Sequence, residues 1–183
     1  MNLSATNIIL ILIALTVVWA IFTYNRFIKL KHMVKEAWSG IDVQLKRRFN
    51  LIPNLIETIK GYAKHEADTM EQLTRMRTGS EDVNQRGAEE GRITQAIQNL
   101  LAVAEEYPDL KASQNFLDLQ NNLDEIENAI QLARRYYNGA VRDFNVLVES
   151  FPSNLIANVF SFQNADFFEI ELARQRDVPK VEF

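Results

Sequence analysis

The chain has 183 residues, 24% charged and 47% hydrophobic, with a formal net charge of −4. That length fits one domain with an appendage. The absence of cysteine excludes disulfide staples and thiolate chemistry, and two histidines, His32 and His65, leave little for a histidine-rich metal centre.

A mean hydropathy of −0.17 looks ordinary, but it conceals an asymmetry: no charged residue precedes Arg26. Leu3 to Tyr24 reads LSATNIILILIALTVVWAIFTY. As a helix this run spans ~33 Å, close to the ~30 Å of a bilayer's hydrocarbon. Trp19, Phe22, Tyr24 and Phe27 gather at its end, where an aromatic belt sits. A cleaved signal peptide needs a basic start and a small-residue cleavage site, and neither is present. Residues 1–25 are therefore predicted to be a transmembrane anchor. Its flank, Arg26, Lys29, Lys31 and Lys35, predicts an N-terminus outside and a cytoplasmic body by the positive-inside rule.

Residues 26–48 carry seven basic side chains against Glu36 and Asp42, net +5, and residues 49–183 are net −9. A basic collar suits an anionic leaflet, although an ordinary solvated face accounts equally well for Lys46, Arg47 and Arg48. The acidic body disfavours nucleic acid as a partner.

From about Ile28 to Arg77, Val34, Trp38, Ile41, Leu45, Phe49, Ile52, Ile56, Ile59 and Ala63 form one apolar stripe at helical spacing. Pro53 falls within it and is expected to kink the helix or split it in two. Residues 78–91, TGSEDVNQRGAEEG, read as a flexible surface loop. A second helix is predicted from Arg92 to about Glu106, stopped by Tyr107-Pro108-Asp109. A third runs from Gln114, capped by Ser113, to about Ser150. Its stripe is Phe116, Leu119, Leu123, Ile126, Ile130, Ala133, Tyr137, Ala140, Phe144, Leu147 and Phe151. Ser153 is read as the cap of a short helix to Phe160. Few glycines and no strand-like alternation leave an all-α fold: an N-terminal transmembrane helix, then an antiparallel four-helix-type bundle over 26–168, then a tail over 169–183 expected to fray.

Catalytic sets are mostly missing. His65-Glu66 lacks the second zinc-protease histidine, because Thr69 occupies its position. Tyr62 and Lys29 stand where a di-iron bundle needs glutamates three residues before its histidines. Glu89-Glu90 and Glu105-Glu106 diverge as neighbours and read as solvated charge. No metal or other cofactor is expected, and the chain is read as a non-enzyme.

Two clusters exceed what a plain bundle requires. One is residues 36–48 and the following NLIPNL, with Asp42 and Lys46 spaced for an i,i+4 pair and Arg47, Arg48 and Asn54 around Pro53. The other is a polar stripe of Arg134, Asn138, Arg142 and Asn145. Antiparallel helices would bring that stripe toward Asp42, Asn54 or Glu57. The result would be a register-fixing polar network or, as the alternative, a partner-docking, ligand-binding or enzymatic surface using Arg134, Asn138 and Arg142 with Asp42.

Three stretches resemble the LemA family of bacterial membrane proteins. They are AWSGIDVQLKRRFNLIPNLIETIKGYAKHE (37–66), NLLAVAEEYPDLKASQNFLDLQNNLDEIENAIQLARRYYNGAVRDFN (99–145) and FPSNLIA (151–157). The resemblance covers about Tyr24 to Phe168 and implies a cytoplasmic-membrane protein with a long-helix bundle. It supplies no catalytic residues. It implies envelope roles, including a membrane metalloprotease partner and, among magnetosome relatives, membrane shaping. The expected function is a membrane-anchored scaffold of the bacterial inner membrane. Trp19, Arg26, Lys29 and Lys31 would meet the lipid, and further copies of the chain or other membrane proteins would be its partners.

Overall fold

A computed structural model describes residues 5–61 and 82–169. His65, Ala63, the first four residues of the expected loop and nearly all of the expected tail lie outside them. Among the described residues there are helices and no strands: α1 (Ala5–Lys60), α2 (Val83–Glu105), α3 (Pro108–Lys111), α4 (Gln114–Glu149) and α5 (Ser153–Val159). The architecture is all-α with a long apolar N-terminal helix.

α1 is unbroken. It passes from the apolar run into the body, and Pro53 lies inside it without splitting it. Proline removes one N–H and crowds the carbonyl four residues back. The burial of Ile52, Leu55, Ile56 and Ile59 around it supplies the compensating apolar contact.

α2 begins nine residues earlier than the sequence pattern indicates. Asp82 caps it, accepting the Gln85 N–H at 2.8 Å. The stretch from Val83 to Gly91 is therefore helix rather than loop. Pro108 occupies the first turn of α3, where its missing N–H costs nothing. The Phe116 N–H reaches the Ser113 hydroxyl at 3.3 Å at the start of α4. Ser153, in contrast, does not cap α5. Its hydroxyl lies 2.7 Å from the Leu147 carbonyl and 2.8 Å from that of Ser150, tying α5 to the end of α4.

The chain divides into two compact units, each with its own core, and α1 and α4 contribute to both. One contains residues 1–38 and 136–165. In it Phe27 meets Phe144 edge-on at 6.2 Å, and Trp38 meets Tyr137 at 5.5 Å, so α1 and α4 run antiparallel. α5 ends in a Schellman turn: the Phe162 N–H donates to the Ala157 carbonyl at 2.9 Å, with Ser161 at φ 56°. That turn returns Phe162 onto Phe27, the two rings stacked at 4.6 Å. Asn145 then clamps the chain, exchanging two hydrogen bonds with the Ala165 backbone at 2.8 and 2.9 Å.

The second unit contains residues 39–135 and 166–183. Its apolar core joins α1 (Ile52, Leu55, Ile59), α2 (Ile93, Ile97, Leu100), Leu110 of α3 and α4 (Phe116, Leu123). Phe168 is also fully buried. A Cβ on Gly87 would run into the Glu169 carbonyl, so only glycine lets α2 and this segment approach so closely.

Candidate functional site: a buried charge network

The buried face of α1 steps through Ala37, Ile41, Leu45, Arg48, Ile52 and Leu55. An arginine thus occupies a core position where the apolar pattern suggests Phe49, which is instead exposed. Arg48 is 2% exposed. A guanidinium at that depth must be paired and hydrogen-bonded.

Glu90 of α2 supplies the counter-charge. It is 1% exposed and accepts from Arg48 Nη2. Arg48 Nη1 donates to Thr94 Oγ1 at 2.8 Å and to Glu127 Oε2 of α4 at 3.1 Å. The Thr94 hydroxyl in turn donates to the Glu90 carbonyl at 3.0 Å. Arg86, one turn before Glu90, is also buried. Its Nε stands 3.1 Å from Glu90 Oε1, close enough for charge pairing but without hydrogen-bond alignment. Its Nη2 donates to Asp42 Oδ1 at 3.2 Å. Asp42 also pairs with Lys46 at 2.6 Å. Two arginines and one glutamate are thus sealed inside three helices, with Asp42 and Glu127 at the half-exposed margins. Burial pushes the Glu90 carboxyl above its ordinary value of 4.5, and the Arg48 and Arg86 guanidinium groups oppose this without cancelling it.

The expected site residues separate into different settings. Asp42 and Arg48 join this network. Arg47 is exposed and donates to Gln44 at 3.2 Å. Asn54 is exposed, and its carbonyl accepts from Thr58 at 2.8 Å. The α4 stripe does not act as one row: Arg142 pairs with its neighbour Asp143 at 2.9 Å, Asn145 holds Ala165, and Arg134 and Asn138 are half-buried. Arg26, Lys29 and Lys31 are exposed, as is Trp19. Asp42 therefore takes Arg86 and Lys46, in place of the expected stripe, as its ion-pair partners. Glu90, read above as solvated charge, is among the most deeply buried side chains. Its spacing held a signal: Arg86, Glu90 and Thr94 precede Ile97 at steps of four and three, on the stripe that Ile93 also shares.

The apolar end of α1 has a different character. Ile8, Leu10, Ile13, Leu15, Val18 and Phe22 are all exposed, and this helix is long and apolar enough to cross a membrane. Thr16, a polar residue within it, is satisfied by donating to the Leu12 carbonyl at 2.9 Å.

These features, with one helix among the described residues fit to cross a membrane, define a membrane-associated helical protein. The LemA family model matches residues 37–183, and the chain belongs to the LemA family. It is 23% identical over 175 residues to magnetosome protein MamQ 2 of Paramagnetospirillum magneticum, covering 80% of this chain and 64% of that protein. It is also 23% identical over 158 residues to protein LemA of Metamycoplasma hominis, covering 84% of this chain and 72% of that one. A third relative, magnetosome protein MamQ of Magnetospirillum gryphiswaldense, is 21% identical over 174 residues, covering 79% and 64%. The chain thus spans under two thirds of the length of the magnetosome proteins it matches.

Proposed function

We propose that the protein is a non-enzymatic, membrane-anchored interaction scaffold of the bacterial inner membrane. Its bundle faces the cytoplasm, and it works through contacts with copies of itself and with envelope proteins such as a membrane protease. The observation that supports this reading is how the strongest charge cluster is used. Arg48, Arg86 and Glu90 are committed to one another across α1 and α2, and Glu127 brings in α4. Groups buried and paired in this way fix helix register rather than wait for a substrate. The similarity to magnetosome proteins suits work at a membrane.

Crosslinking in native membranes followed by size exclusion in detergent tests the scaffold. We expect covalent multimers and co-purifying envelope proteins. A strict monomer that retains no envelope protein would overturn the reading.

A further inference from the structure

A second uncharged stretch lies far from the anchor in sequence. Between Glu149 and Asp166 no residue is charged. This segment contains α5 and its flanking turns, and its large apolar side chains point outward: Phe151 is 79% exposed, Leu155 52%, Val159 74% and Phe160 53%. Residues 151, 155 and 159 recur at steps of four, so they form one face of the short helix and its entry turn. The opposite face is anchored, with Ile156 and Ala157 packed into the Phe27 cluster.

The position of this face in the fold determines what covers it. Phe160 rests on Tyr24 at 4.7 Å between ring centroids. Phe151 and Pro152 share a cleft of about 280 Å³ with Trp19, Thr23 and Arg26. The segment therefore lies beside the last turns of the apolar run and the first basic residue, Arg26. Trp19 precedes Tyr24 by only ~7 Å of helical rise. An amphipathic element at a membrane surface buries its apolar face ~5–10 Å into the boundary between headgroups and chains. The exposed face is thus continuous with the lipid-facing surface of the anchor.

We propose that α5 and the Phe151 turn form a second membrane contact, seating Phe151, Leu155, Val159 and Phe160 in the bilayer interface beside the anchor. This uses the anchor as a membrane span and is independent of the scaffold reading. The occupant is lipid: the face is apolar and uncharged, and it adjoins a segment that already needs lipid around it. Polar Asn154 and Asn158 flank the apolar positions, as at a headgroup boundary.

The cysteine-free chain allows single labels. The full-length variants L155C and V159C, each carrying an environment-sensitive fluorophore, are reconstituted into vesicles containing spin-labelled lipid quenchers. I13C reports on the anchor, and L132C, exposed on α4 outside the uncharged segment, reports on water. We expect lipid quenching at 155 and 159 several-fold above that at 132, with shallow-quencher preference, and deep quenching at 13. Quenching at 13 with 155 and 159 indistinguishable from 132 would overturn the second contact and leave the anchor standing. Labels at 155 and 159 that are shielded from water but not quenched by lipid would assign the face to a protein partner and also overturn it. No quenching at 13 would remove the anchor and this contact together.

Discussion

Arg48 is buried and held by Glu90, Thr94 and Glu127. Removing one member of such a pair strands the other charge, at a cost of about 3–5 kcal/mol, whereas replacing both with apolar side chains of similar size is near neutral or stabilising. The Glu90→Leu variant should therefore be severely destabilised in urea titration of the detergent-solubilised protein, and the R48M/E90L double variant should recover most of that loss. A double variant as unstable as the single one would mean that Arg86 and Glu127 require both members. Glu90 also gives a pH signature. Its folded value lies above its unfolded one, so it binds its proton more tightly in the folded state. Its contribution is full below about pH 4.5 and is lost as pH rises through the raised value. The stability of the native chain relative to E90Q should accordingly fall as pH rises above about 4.5 in the same titrations. A gap that widens with pH would show that the guanidinium groups outweigh burial.

At the scale of elements, proline in the interior of an unbroken helix costs about 3 kcal/mol relative to alanine. Because α1 continues through Pro53, P53A should raise the thermal midpoint of the body, measured by circular dichroism. An unchanged or lower midpoint would mean that Pro53 shapes a local bend the core requires. Gly87→Ala should do the reverse, since its added methyl meets the Glu169 backbone rather than a flexible side chain. We expect a loss of about 1–3 kcal/mol from overpacking, read as a lower midpoint. The same elements show what was legible beforehand. α4 was, because its apolar residues keep one helical spacing throughout, and the apolar start of α1 was, because it is long and carries no charge. The first turns of α2 were not: Gly87 and Gly91 resemble loop punctuation, and Arg86 and Glu90 resemble solvent-facing charge until the partner helix supplies Arg48. Arg48 stands out in sequence as one of the polar groups near Pro53, but Phe49, its more apolar neighbour, conceals its burial. Phe151 continues the α4 stripe in sequence yet falls beyond the last helical turn, so it is exposed instead of buried. Periodicity locates a face on an element, and only the packing partner decides whether a charge on that face is buried.

At the scale of the whole molecule, the proposed orientation depends on charge next to the anchor. Arg26, Lys29 and Lys31 are exposed, so replacing them changes the topogenic signal without removing core contacts. The triple variant R26E/K29E/K31E should insert a measurable fraction of chains in the opposite sense, since the side rich in Lys and Arg is retained in the cytoplasm. Protease added to intact spheroplasts reads this directly: the native body is expected to be spared and the inverted fraction digested. Digestion of the native body from outside would overturn the proposed orientation.

The partners of Arg48 also impose an order on synthesis. Glu90 follows it by 42 residues and Glu127 by 79. At ~5–20 residues per second, a ribosome needs roughly 2–8 s to cover the first of those intervals. α1 is completed early in that interval, at Lys60, and from then until Glu90 is made its core-facing guanidinium lacks the carboxylate that buries it. Closing the core around this arginine must wait for distant sequence. Until α2 is made, the chain therefore carries a charged arginine in the middle of an apolar face, between Leu45 and Ile52, without the glutamate that pairs with it in the finished core.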